Sequence, residues 1–217
     1  MPPFCDRLID AVVARKTPCI VNIDPDPARL PARILGAESR TQASTTDRVL
    51  QRVTAFCSRA VQLVAPIVPA VKLNIACYEP FGPAGIQVYD RLVRLASRQG
   101  LIVIGDVKRG DVGHTAAMYA RAQLADDAVP GRMTPDAITV SGYLGRDGVE
   151  PFVEVARSSG KGVFILVRTS NPSAGAIQDL PTRDGPKVHE VLAALVAEWA
   201  AASETRGRCG YTSVGAV

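Results

Sequence analysis

Apolar residues along this chain fall into two alternating textures. Short, nearly unbroken runs rich in Val, Ile and Leu occupy residues 18–24 (PCIVNID), 68–74 (VPAVKLN), 101–106 (LIVIGD), 136–141 (DAITVS), 162–167 (GVFILV) and 211–217 (YTSVGAV). Apolar residues at consecutive rather than alternate positions are the mark of parallel strands covered on both faces. Between the runs the apolar positions recur with helical spacing. One such stripe is Val49, Val53, Phe56, Ala60 and Leu63 behind Asp47, and a second is Ile86, Tyr89, Val93 and Ala96 ahead of Gly100. Further helices are predicted from Thr115 to Leu124, over residues 149–159 ahead of Gly160, and on Val188, Val191, Leu195, Val196 and Trp199. Asp47 suits a helix start, where its charge meets the positive end of the helix dipole. Gly100 and Gly160 suit helix ends, where the cap adopts a left-handed backbone.

Strands alternating with helices specify a parallel sheet, closed as a (β/α)8 barrel or open and doubly wound. No GxGxxG or GxxxxGK[ST] follows any strand, which weakens the nucleotide-cofactor versions of the open sheet and favours the barrel. In either architecture function gathers at the C-terminal ends of the strands. About six βα units can be read, against eight in a complete barrel of ~250 residues. The expectation is therefore an α/β chain of (β/α)8 TIM-barrel type, incomplete, in a single domain over residues 1–217. Residues 34–46 (ILGAESRTQASTT) read as a long polar loop after the first strand, either a lid or plain surface.

Composition narrows the function classes. Of 217 residues, 47% are hydrophobic and 21% charged, as in a globular protein, and none of the apolar runs reaches the ~20 residues of a membrane span. The opening MPPFCDRLIDAVVARK lacks the layout of a secretion signal, so the expected location is the cytoplasm. The net charge of +4 is spread along the chain with no Lys/Arg stripe, which argues against a nucleic-acid partner. Five cysteines form no CxxC pair, hence neither a zinc pattern nor a disulfide framework, and are expected to be buried as small apolar residues. With only two histidines, His114 and His189, schemes that need several imidazoles have little material.

The chemistry sits on the strand ends. Asp24 closes the first run, Lys72 lies in the second, and the third ends in Asp106 and continues as Val107, Lys108, Arg109, Gly110 and Asp111. Alternate strand residues face the same way, so Asp106 and Lys108 are expected to share the inner face at the open end. Charges there must pair with one another or with a ligand. An alternating array of lysines and aspartates can keep all its members ionised, while a substrate carboxylate entering beside Asp106 meets like charge. Loss of carbon dioxide relieves that repulsion, and Lys108 can then protonate the carbanion with no electron sink required. Taken singly, Asp111 also fits a solvated turn, and Asp24 before Pro25 also fits a turn opening. The segment Arg168-Thr169-Ser170-Asn171-Pro172 suits either the edges of a polar ring or a capped turn. Thr115 suits either a sugar hydroxyl or a helix cap. His114 reads as a surface residue, and Tyr143 and Glu79 carry no sharper case.

The stretch VIGDVKRGDVGHTAA at residues 103–117 is similar to the Asp-x-Lys-x-x-Asp signature of the orotidine 5′-phosphate decarboxylases. VKLNIACYEPFGPAG, DAITVSGYLG and FILVRTSNPSAGAIQD extend the resemblance to the branch of that family found in mycobacteria and other bacteria, from about Phe4 to Val217. The resemblance implies a homodimeric (β/α)8 barrel that makes uridine monophosphate with neither metal nor organic cofactor. It implies Lys108 as proton donor, Asp106 as the carboxylate crowding the substrate's, and Lys72 and Asp111 as the outer members of the tetrad. Asp111 and Thr115 would reach the neighbouring subunit's site, Asp24 would contact the ribose and Ser170 the pyrimidine.

The sequence departs from the family pattern in two ways. After YTSVGAV the pattern leads one to expect a Gly-rich segment and an Arg-bearing strand that hold the substrate phosphate, so this chain is expected to be weakly active or unstable alone. His114 stands where a small Ser or Asn is expected. Two rival readings remain open. One is a magnesium-dependent sugar-phosphate decarboxylase or hexulose-phosphate synthase, which carries a similar motif with an acidic metal ligand on the second strand, where Lys72 would instead repel a cation. The other is a truncated, non-catalytic remnant.

Overall fold

The computed structural model describes residues 1–31, 44–128 and 131–217. Among them the order is α1 (Phe4–Arg15), β1 (Ile20–Ile23), α2 (Thr45–Val64), β2 (Ala70–Asn74), α3 (Gly82–Arg98), β3 (Ile102–Arg109) and α4 (Gly113–Leu124), then β4 (Ala137–Ser141), α5 (Arg146–Ser159), β5 (Gly162–Leu166), α6 (Gly175–Gln178), α7 (Val188–Ala202) and β6 (Val214–Ala216). This is the expected α/β alternation, with six strands among the described residues. The chain forms two compact units, Asp10–Asp106 and Met1–Ile9 with Val107–Val217, whose boundaries fall inside α1 and inside β3.

In the first unit β1, β2 and β3 are parallel neighbours in that order, with Ile23 opposite Leu73 and Asn74 opposite Asp106. Val71 and Leu73 of β2, Val53, Cys57 and Val61 of α2, and Tyr89 and Val93 of α3 are completely buried. The rings of Tyr78 and Tyr89 meet edge to face with centroids 5.7 Å apart. The Tyr78 hydroxyl donates to Cys57 Sγ at 3.5 Å. Burial pushes the Cys57 thiol up to about 11 and the Tyr78 phenol higher still, so both stay neutral and serve packing.

In the second unit β4, β5 and β6 are parallel, with Ala137 opposite Gly162 and Val163 opposite Val214. The first turn of α1 covers the N-terminal ends of β4 and β5. Phe4 stacks edge-on against Phe164 at 5.8 Å, and Gly162 carries no side chain where a Cβ would strike the Phe4 ring. Arg7 pairs with Asp136 and donates to the Gly160 carbonyl at 3.2 Å. Lys161, only 3% exposed, donates to Asp126 at 2.8 Å and to the Thr134 hydroxyl and carbonyl.

Several expectations are corrected by these elements. Helix α1 was not foreseen, although Asp6 in its first turn and Arg15 in its last suit its dipole. The α2 stripe is turned from the expected one: Leu50, Val53, Cys57 and Val61 are buried and Leu63 is exposed, because the rival period built on Leu50 buries the thiol beside Tyr78. Of the loop expected over 34–46, residues 34–43 lie outside the described residues, and Ser44 with Asp47 forms a capping box that starts α2 at Thr45. Strand β3 runs on to Arg109 instead of stopping at Asp106. Strand β6 is shorter than expected because Arg206 and Thr212 bridge and Gly207 donates to the Tyr211 carbonyl, so the segment before it turns back on itself. Thr115 does not cap α4, which begins at Gly113 with Val112 in the cap position. Of the cysteines, all free, only Cys5 and Cys57 are buried, and Cys19 is exposed.

Burial raises the Asp126 carboxyl, but hydrogen bonds from Lys161 and Thr134 outweigh it and hold the group below its usual range. A carboxylate depressed in the folded state stabilises above its unfolded pKa, and that stabilisation is lost as pH falls through the folded value. Because Asp126 is half exposed, Asp126→Asn is expected to cost about 1–2 kcal/mol in urea unfolding at neutral pH. The gap between the variant and the wild type should close as pH drops below about 4, whereas a gap constant with pH would contradict the assignment.

Candidate active site

In unit Asp10–Asp106 the register brings Asp24, Asn74 and Asp106 level at the C-terminal ends of β1, β2 and β3, with Lys72 one pleat back on β2. Lys72 Nζ donates to Asp106 Oδ2 at 3.3 Å, with the carboxylate 5% exposed and the lysine side chain 27% exposed. A carboxylate buried this deeply is costly unless a cation or hydrogen bonds hold it. The Lys72 ammonium supplies such a partner to Asp106. Asp24 is exposed directly after β1, where Asp26 accepts the Ala28 N–H at 2.9 Å and organises the short turn that follows.

In unit Met1–Ile9 with Val107–Val217, Lys108 is exposed near the end of β3 and carries a φ of 45°. An L-residue pays roughly 1–2 kcal/mol for this left-handed backbone. The backbone at Lys108 itself thus departs from regular strand geometry. Its backbone N–H donates to Thr139 Oγ1 at 3.0 Å, a buried hydroxyl on β4. Gly110 approaches Ser141 so closely that a Cβ would lie 3.0 Å from the serine Cβ. Asp111 Oδ1 accepts the Val112 N–H at 2.8 Å, and Thr115 and His114 are exposed in the first turn of α4.

The model of the orotidine 5′-phosphate decarboxylase / HUMPS family matches residues 43–214. The chain belongs to that family. It is 40% identical to the orotidine 5′-phosphate decarboxylase of Rhodopirellula baltica, over all of this chain and 70% of that protein. It is 33% identical to the orotidine 5′-phosphate decarboxylase of Clostridium novyi, over 98% of this chain and 68% of that protein. The chain thus spans about 70% of the length of such relatives. The structure of Leishmania donovani OMP decarboxylase superposes with a TM-score of 0.70 at 26% identity, covering 99% of this chain and 69% of that one. The Plasmodium berghei orotidine 5′-monophosphate decarboxylase, at 16% identity and a TM-score of 0.78 over 93% of this chain, shares the fold. The incomplete barrel expected from the strand count fits these barrels, which are longer than this chain.

Within this decarboxylase family chain, Ser170 lies exposed in the loop after β5. That loop is fixed from within: Thr169 N–H donates to Gln178 Oε1 at 2.8 Å, and Gln178 Nε2 donates to Thr169 Oγ1 at 2.8 Å. Arg168 grips Asp179 through two bonds of 3.0 and 2.7 Å, which raises the guanidinium and holds the carboxyl below its usual range. Thr169 Oγ1 also donates to Asn171 Oδ1 at 2.6 Å, and Ser170 stays exposed between these bonded residues, so a capped turn and a ring-reading segment are compatible. Sequence reasoning missed Thr139 and Gly110, and the available signal for Thr139 was a polar residue set between Ile138 and Val140 in the middle of DAITVS.

Among the described residues the cluster with metal-ligand chemistry is Cys5, Asp6 and Cys209, whose ligand atoms lie within 4.8 Å of one another. Asp6 already accepts the Cys209 N–H at 2.9 Å and the Arg208 N–H at 3.2 Å. It lies on the same helical turn as Arg7, beside the N-terminal strand ends, away from the strand ends where barrels do chemistry. Asp6 is thus a structural tie.

A double-mutant cycle on Lys72→Met and Asp106→Asn, read by urea unfolding, is expected to give a coupling of about 1–3 kcal/mol. Additivity within a few tenths would show that the two groups do not hold each other.

Proposed function

We propose that this chain decarboxylates orotidine 5′-phosphate to uridine monophosphate, the closing step of pyrimidine nucleotide synthesis, with no metal or organic cofactor. The observation that carries this reading is the buried Asp106 carboxylate held at 3.3 Å by the Lys72 ammonium, two residues before Lys108 on β3. The names of the curated relatives support the choice of substrate.

In the proposed mechanism Lys72, Asp106, Lys108 and Asp111 form an alternating charge array. The substrate carboxylate enters beside Asp106 and is destabilised by like charge. The bond from C6 to the carboxylate breaks, carbon dioxide leaves, and the electron pair remains on C6 under the field of the Lys108 ammonium. Lys108 then gives a proton to C6 and is reprotonated from solvent. Asp24 contacts the ribose and Ser170 the pyrimidine. In a cytoplasmic homodimer Asp111 and Thr115 serve the neighbouring subunit's site, and support for an interface there comes from the exposed Val112, Met118 and Tyr119. Among the described residues no helix is long and apolar enough to cross a membrane. The magnesium-dependent alternative is disfavoured because the Lys72 ammonium lies on the strand where that chemistry needs an acidic ligand.

The test is loss of orotidine 5′-phosphate ultraviolet absorbance with the purified chain in excess chelator. Turnover is expected to persist with chelator and to fall by about a thousandfold or more in Lys108→Ala. Chelator-sensitive turnover, or a Lys108→Ala variant as active as the wild type, would overturn the proposal.

A further inference from the structure

Non-glycine residues with a left-handed backbone among the described residues are Lys16, Lys108 and Glu204. Lys16 and Glu204 lie in turns directly after helices, where such a conformation is ordinary, but Lys108 lies within a strand. A β-strand residue reaches this region only when its surroundings enforce it. The enforcing contacts come from β4 and the start of α5. Thr139 Oγ1 accepts the Lys108 N–H at 3.0 Å. Ser141, on the same face of β4 two residues later, abuts Gly110. Gly148 of α5 lets the Asp111 carbonyl approach to where a Cβ would sit 3.2 Å from its oxygen. Segment 108–111 is therefore pressed onto one surface at Gly110 and Gly148 and tied to it through the Thr139 hydroxyl.

We infer that Thr139 is a positioning residue for the proton donor: its hydroxyl fixes the left-handed backbone of Lys108 and thereby the direction in which the ammonium leaves β3. This rests on the decarboxylase reading only for the use made of the ammonium. Thr139 is 3% exposed between the fully buried Ile138 and Val140, a place where valine would match its volume and β-branching. The hydroxyl is thus the feature that an apolar strand has no packing reason to carry.

The test compares Thr139→Val, which keeps the shape and loses the acceptor, with Thr139→Ser, which keeps the acceptor. A displacement of about 1 Å at a reacting group costs on the order of a hundredfold in rate. Thr139→Val is accordingly expected to lower kcat by about ten- to a hundredfold while KM and uridine monophosphate affinity stay within about twofold. A crystal structure of this variant is expected to show Lys108 outside the left-handed region. Thr139→Ser should recover kcat to within about threefold. If Thr139→Val retains kcat, if Lys108 keeps its positive φ in that variant, or if the serine variant is as slow as the valine one, the inference is wrong. Should valine prevent folding, Thr139→Ala replaces it, with serine again expected to be faster by about tenfold and equality overturning the claim. If the wild type does not turn over orotidine 5′-phosphate, the decarboxylase reading fails, and the crystallographic comparison alone decides the role of Thr139.

Discussion

A carboxylate removed from water must be compensated where it lies, and much of the chemistry proposed for this chain follows from how Asp106 meets that requirement. Lys72 supplies an ammonium from the neighbouring strand. The parallel register that sets Asn74 opposite Asp106 places that ammonium within reach. In the proposed mechanism the pair is useful because a carboxylate held by one ammonium still presents like charge to an incoming substrate carboxylate. A protein that merely needed stability could replace such a pair with packed apolar side chains at little or no cost. Retaining it makes sense where a charge must be kept ready for a ligand.

The short step from Asp106 to Lys108 changes the backbone from ordinary strand to left-handed. Sterics oppose this, and the structure answers with Thr139, Ser141 and two glycines set against segment 108–111. The cost of holding a strained residue falls on β4 and α5, elements with cores of their own in Ile138, Val140, Val149 and Phe152. Strain of this kind is commonly found where geometry matters more than stability.

The βα order was legible because continuous apolar runs and helical stripes differ in period, and each run from 18–24 to 211–217 overlaps an observed strand. That charges placed at the strand ends need partners was legible too; which residues pair was not, and the structure brings Lys72 to Asp106. What escaped depended on tertiary context. The α2 stripe was misplaced because two helical periods coexist in 49–63, and burial of Cys57 beside Tyr78 chooses between them. Helix α1 escaped because its buried side chains, Phe4, Cys5 and Asp6, gather at one end rather than forming a stripe. The bend at Lys108 escaped because nothing in VKRG announces a positive φ on lysine; it comes from a hydroxyl 31 residues away in sequence. Membership of the decarboxylase family was carried by the spaced charges of 103–117, and the comparisons with known proteins bear it out.

Direct evidence that Asp106 works by crowding a substrate carboxylate would come from calorimetric binding of orotidine 5′-phosphate and uridine monophosphate to Lys108→Ala, with and without Asp106→Asn. Removing the Asp106 charge is predicted to tighten binding of the carboxylated nucleotide by about tenfold or more, through lost like-charge repulsion, while uridine monophosphate affinity stays within about twofold. Equal effects on both nucleotides, or weaker binding of the carboxylated one, would contradict the account.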